Sequence, residues 1–182
     1  FRWHAIVTTN YDYIIERAYT SADNALQQPV RIIKDGDAKQ EYLGDAQKVP
    51  YLKLHGCISN INDPDLPLIL STEEYARHRC YRERVFGMFS DWARSHPIIF
   101  CGYNIGDPNI QQILFDLGDK SVNRPIYATV NPSLTSFDLR YWQSRRIIPL
   151  QLNFENFLSR LDSSIETQLR VLSAFQTPNA SS

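Results

Sequence analysis

Short apolar runs that end in polar residues and then yield to helical spacing constrain this chain more than any other feature. Ala5-Ile6-Val7-Thr8-Thr9 is short, apolar and β-branched and reads as a buried strand. Asn10-Tyr11-Asp12 follows it, and Ile14, Ile15, Ala18 and Tyr19 then recur at helical spacing. Val30-Arg31-Ile32-Ile33 reads as an edge strand inside an otherwise polar stretch. Tyr51-Leu52-Lys53-Leu54 is the next strand and delivers His55-Gly56 at its end, while Leu68-Ile69-Leu70 is strand-like. Ser71-Thr72-Glu73-Glu74 has the spacing of a capping box, so a long helix is predicted from Ser71 as N-cap to about Ser95, with Tyr81, Val85, Met88, Phe89 and Trp92 on its inner face.

Beyond Pro97 the pattern repeats. Ile98-Ile99-Phe100-Cys101 is wholly apolar and runs into Gly102-Tyr103-Asn104-Ile105-Gly106-Asp107-Pro108, where Asp107 suits an N-cap and Pro108 the first helical position. Ile110, Ile113, Leu114 and Leu117 form one helical face closed by Gly118. A strand over 125–130 ends in Asn131-Pro132, a short helix runs through Tyr141, and Ile147 to Leu152 is the last strand. Phe154, Phe157, Leu158, Leu161, Ile165, Leu169 and Leu172 keep one helical face for more than four turns. The chain is read as one domain over 1–175, with 176–182 a polar linker or tail.

Strands alternating with helices predict an α/β fold: a doubly wound, mostly parallel sheet with helices on both faces. Ligands of such open sheets bind outside the carboxyl ends of the strands. The residues there are Asn10 and Asp12, His55, Gly102 with Asn104, and Asn131. Taken singly, each fits an ordinary turn or helix cap. Together, polar hydrogen-bonding groups end four strands in succession on the predicted ligand edge.

Composition narrows the class. Nineteen Lys plus Arg against twenty Asp plus Glu leave a net charge of −1, without the basic excess of a nucleic-acid-binding surface. Hydrophobic residues at 43% support a buried core, and no apolar run approaches the roughly 18 residues of a membrane span. Cys57, Cys80 and Cys101 lack paired spacing, which fits a reducing, cytoplasmic setting and supports neither a disulfide framework nor a structural zinc. Cys101 is expected to be a buried, inert residue of its strand, and Arg77, Arg79, Arg82 and Arg84 to form a solvated face. The Arg145-Arg146 pair is read as a surface pair rather than a phosphate contact. The opening Phe1-Arg2-Trp3-His4 runs at once into a strand, so a preceding element is expected before Phe1.

Four segments in order, Thr8-Thr9-Asn10-Tyr11-Asp12, Leu54-His55-Gly56, the run from Gly102 to Pro108, and Val130-Asn131, resemble the Rossmann-like, sirtuin-like NAD-binding domain. Ile14-Ile15-Glu16 after the first segment and Asp107-Pro108 in the third resemble the bacterial antiphage-defence form. The resemblance implies that Asn10 contacts the nicotinamide ribose and positions the nucleophile, and that His55 is the general base. It implies NAD contacts for Thr8, Asp12, Gly102, Tyr103, Asn104, Asp107 and Asn131. Of these, Asp12 would hold the nicotinamide side or its ribose, Gly102 and Asn104 the phosphate and ribose region, and Asn131 the adenosine ribose.

The chemistry suits these residue types. Cleaving nicotinamide from ribose builds positive charge on the sugar, as in glycoside hydrolysis. Nicotinamide leaves without strong acid catalysis, so the site needs a group to orient water and a base that titrates near neutrality, as histidine does. Asn10 offers a donor and an acceptor without adding a charge. The family's glycine-rich strand-turn-helix has no counterpart within the chain and is expected before Phe1. The four-cysteine zinc module of deacylating sirtuins is absent between His55 and Leu70, where only Cys57 and a short loop stand.

The resemblance therefore implies an NAD hydrolase that takes NAD as substrate and needs no metal. It would act as an effector within a larger, homo-oligomeric defence protein and contact neither nucleic acid nor membrane. Protein deacylation, a non-catalytic sensor of NAD or ADP-ribose, and an oligomerisation domain are the alternatives.

Overall fold

The computed structural model describes residues 1–23, 25–38, 44–63, 68–103, 111, 114–115 and 125–165, with the backbone alone at 72 and 75–81. The chain divides into two compact units, Phe1–Trp92 and Ala93–Ser182. The first holds β1 (Ile6–Thr8), α1 (Ile14–Thr20), β2 (Gln28–Ile32) and β3 (Lys48–Lys53), and α2 runs over Thr72–Ser95. The second holds β4 (Ile98–Cys101), β5 (Tyr127–Val130), α3 (Ser136–Ser144), β6 (Ile147–Leu150) and α4 (Phe154–Ser164).

Each unit is built on a three-stranded sheet, and every described pairing is parallel. The order in the first sheet is β1-β3-β2, so the chain crosses over β3 by way of α1. Sequence position does not reveal this inversion, but burial does. Val49, Pro50, Tyr51, Leu52 and Lys53 are buried in succession, the mark of a strand covered on both faces. Leu52 is fully buried, in register with Val7 on one side and Ile32 on the other. The edge strand expected over Val30–Ile33 is β2, which runs instead from Gln28 to Ile32. The second sheet has the order β4-β5-β6, and α3 connects β5 to β6 and packs on β6. Phe100 and Trp142 stack in its core with ring centroids 6.0 Å apart, and the buried Tyr127 hydroxyl donates to the Ala93 carbonyl.

Helix starts follow their local chemistry. Ser71 Oγ accepts the Glu74 amide at 3.2 Å, while the Glu74 carboxylate turns back to accept the Leu70 amide at 2.8 Å. Thr135 and Asp138 close a full capping box on α3, and Asn153 caps α4 through the Asn156 amide. The hydrogen bonds from Thr135 hold the Asp138 carboxyl below its ordinary value.

Several expectations are corrected. Leu68–Leu70 is not a strand; the Ile69 amide instead donates to the His55 carbonyl. The last helix stops at Ser164, where Ile165 turns extended, so it has 11 residues rather than more than four turns. Leu169, Leu172 and the predicted 176–182 tail lie outside the described residues. Cys101 is exposed at the end of the edge strand β4. On α1, Ile14 and Ala18 are exposed, and only Ile15, Glu16 and Tyr19 are part-buried. Val85 and Phe89 are buried on α2 as predicted, and Phe86 and Arg82 join them.

Leu52 is the centre of the first sheet, and its truncation leaves a cavity that two hydrogen-bonded neighbours cannot fill. Leu52→Ala is expected to lower stability by about 2–5 kcal/mol, measured by denaturant unfolding. Exposed Ile14→Ala should change it by less than about 0.5 kcal/mol.

Candidate functional site

Because β1 and β3 are parallel neighbours, the residues that follow them share one edge of the first sheet. The ladder extends to that edge, where the Leu54 amide donates to the Thr8 carbonyl at 2.9 Å. Asn10 and His55 lie just beyond the two strand ends, Asn10 exposed and His55 part-buried. The loops that carry them are tied together. The Ile58 amide donates to the Tyr11 carbonyl at 3.0 Å, the Tyr11 hydroxyl donates to the Ile69 carbonyl, and the Tyr11 ring centroid stands 6.4 Å from that of His55.

The small polar side chains of this edge shape its backbone. Thr8 Oγ1 accepts the Asn10 amide at 3.0 Å, and Asp12 Oδ1 accepts the Ile14 amide at 3.0 Å in an Asx turn just before α1. Gly56 follows His55 with φ +98, and its amide closes a tight turn onto the Lys53 carbonyl. A Cβ at Gly56 would come within 3.2 Å of Arg82 Nη2 and 3.3 Å of Leu68 Cδ2.

Two buried cations support this edge, and neither was assigned such a place from sequence. Arg82, expected on a solvated face, is fully buried, and its Nη1 donates to the Leu54 carbonyl at 3.1 Å, directly before His55. Burial depresses its guanidinium below the ordinary value. The available signal was spacing: Arg82 stands three, four and seven residues before Val85, Phe86 and Phe89, on one helical face. Lys53 is also fully buried; its Nζ donates to the Asp12 carbonyl and lies 3.6 Å from Glu16 Oε1. Around it, burial and then the Glu16 carboxylate push the Tyr51 phenol well above its ordinary range. Burial raises the Cys57 thiol, but hydrogen bonding with Ser59 and the Lys53 and Arg31 cations outweigh it and leave it lowered. Arg31 Nη1 stands 3.6 Å from Cys57 Sγ.

In the second unit, Gly102 and Asn131 follow the parallel neighbours β4 and β5. The Gly102 amide donates to the Val130 carbonyl and the Asn131 amide to the Leu150 carbonyl, both at 3.1 Å, so both residues are held at the carboxyl edge of that sheet. Gly102 has φ +61 with open space where a Cβ would be, and Asn131 Oδ1 accepts the Ser133 amide at 2.9 Å. Tyr103 is part-buried with its ring 6.0 Å from Phe100. Asn104 and Asp107 lie outside the described residues. Arg145 rests on the Phe115 and Tyr141 rings, and Arg146 (φ +58) precedes β6, at the end of the sheet opposite Asn131. Among the described residues, no three His, Cys, Asp or Glu side chains are grouped to hold a metal ion.

Gly56→Ala is expected to cost about 1–3 kcal/mol, since both its backbone angle and its neighbours oppose a side chain. Gly87→Ala, on open helix surface, is expected to be neutral or stabilising by up to about 1 kcal/mol. Parallel thermal melts compare the two.

A search of curated proteins finds no match to this chain. The SIR2-like domain family matches residues 4–150, a span that holds both sheets. Domains of this family bind NAD. The chain belongs to the SIR2-like domain family.

Proposed function

We propose that the protein hydrolyses NAD to nicotinamide and ADP-ribose. The observation that carries this reading is the parallel pairing of β1 with β3, which brings Asn10 and His55 to one sheet edge on loops tied through Tyr11. In the proposed reaction Asn10 orients a water molecule against the ribose carbon that bears nicotinamide. The carbon–nitrogen bond breaks, the electron pair leaves with neutral nicotinamide, and the water oxygen bonds to that carbon. His55 takes the water proton. Part-burial of His55 suits this role, since the fold holds the imidazole just beyond the end of β3.

Thr8 and Asp12 already shape the loop through their side-chain oxygens, so their proposed NAD contacts use the remaining acceptor capacity. Family resemblance supports NAD contacts for Gly102, Tyr103, Asn104, Asp107 and Asn131. Hydrolysis is favoured over deacylation by the short loop after His55, which carries Cys57 but no second cysteine. The forms of the first and third motifs support a place for this domain, over 1–175, in a cytoplasmic, oligomeric antiphage defence protein.

His55→Ala is expected to reduce nicotinamide release from NAD by about 10²–10⁴-fold, the usual contribution of a positioned base. Asn10→Ala is expected to do likewise, because a misplaced nucleophile loses its orientation advantage. Both variants should melt near wild type, since Asn10 is exposed and His55 lies outside the apolar core. Folded variants with wild-type rates would remove the hydrolase reading and leave a nucleotide sensor in its place. Elemental analysis of the purified protein is expected to find no stoichiometric zinc; finding it would restore the deacylase reading.

A further inference from the structure

We propose that Lys53 is a positioning residue: its buried ammonium clamps the loop after β1, through the Asp12 carbonyl, to the end of β3 and thereby sets Asn10 relative to His55. The proposal rests on the hydrolase reading for its catalytic consequence but not for the clamp itself.

A buried lysine on the central strand of a parallel sheet is costly unless its charge is compensated. Here the side chain has 0% exposure, Glu16 Oε1 lies at 3.6 Å, and the Tyr13 and Tyr51 ring centroids lie at 5.6 and 5.5 Å. Val49, Pro50, Tyr51, Leu52 and Leu54 around it in sequence are all buried, so an uncharged residue would satisfy packing at this position. Buried ion pairs seldom add net stability over apolar replacements. What the ammonium adds is a directed hydrogen bond from the strand to the loop.

That bond falls at a decisive point. Thr8 is fixed by the sheet, since its carbonyl accepts the Leu54 amide. Four residues later, Asp12 is fixed by Lys53. Asn10 stands midway between these two anchors, and its own described bond is the short turn to Thr8 Oγ1. Releasing Asp12 therefore removes one of the two ties that hold the chain after Asn10, and leaves Tyr11, through its bonds with Ile58 and Ile69, as the other.

Lys53→Met alone leaves the part-buried Glu16 carboxylate only the more distant Arg31 Nη1, at 3.9 Å, as an ion-pair partner among the described residues, so the test centres on Lys53→Met/Glu16→Gln in the full-length protein. This pair removes both charges while conserving volume. Three quantities are read: the melting temperature, amide exchange over residues 9–14 against β3, and kcat and KM for nicotinamide release from NAD. The expected result is a melting temperature near wild type and β3 exchange unchanged. The 9–14 amides should exchange at least about tenfold faster, and kcat should fall about 10²-fold with KM nearly unchanged. Unchanged exchange over 9–14 overturns the clamp. Faster exchange with wild-type kcat overturns its positioning role. A wild-type protein that releases no nicotinamide removes the hydrolase reading, and the exchange result then decides the clamp by itself.

Discussion

The first unit depends on a strand that is sealed on both faces. β3 pairs in parallel with β1 and β2, and once it is enclosed every side chain along it must be satisfied inside the protein. For Val49, Leu52 and Leu54 that condition is met by packing. For Lys53 it is met by a carboxylate, two aromatic faces and a backbone carbonyl. The tight turn at Gly56 and the buried Arg82 guanidinium meet the same demand one turn further on. The loops at the carboxyl edge inherit their geometry from these buried groups rather than from contacts with solvent.

This arrangement separates two tasks that share one stretch of chain. Thr8 and Asp12 spend side-chain oxygens on the loop backbone, and Asn131 does the same in the second unit. Turn chemistry and ligand chemistry are therefore not competing readings of such residues. A side chain that fixes its own loop also fixes the neighbouring donors and acceptors. Asn10 differs, since it is exposed and the described bond it makes runs through its backbone amide. On the proposed reading, the group that must face substrate is one whose side chain makes no bond among the described residues.

The cysteines show how position alters chemistry within one chain. Cys57 is buried near two cations and its thiol is lowered, whereas Cys101 ends an edge-terminating run and is exposed. Sequence reading gave Cys101 the buried role because its strand is apolar throughout. Cys101 ends an edge strand and is exposed, whereas Lys53 and Val130 end the central strands β3 and β5 and are buried.

Local chemistry was enough to place β4, the capped start of α2, the edge character of β2, and the polar residues that end β1, β3, β4 and β5. Each of these depends on neighbours within a few residues: apolar runs, a serine three before a glutamate, a glycine after a strand. Strand order and the partners of the buried Arg82 and Lys53 were settled only when distant segments met. An arginine on a helix carries no local sign of the carbonyl it will reach 28 residues away. A lysine in an apolar run shows that a charge must be buried, but not that Glu16 and the Asp12 carbonyl will receive it. Pattern in the chain determines which residues arrive at the carboxyl edge; parallel pairing across long separations determines which of them are held, and by what.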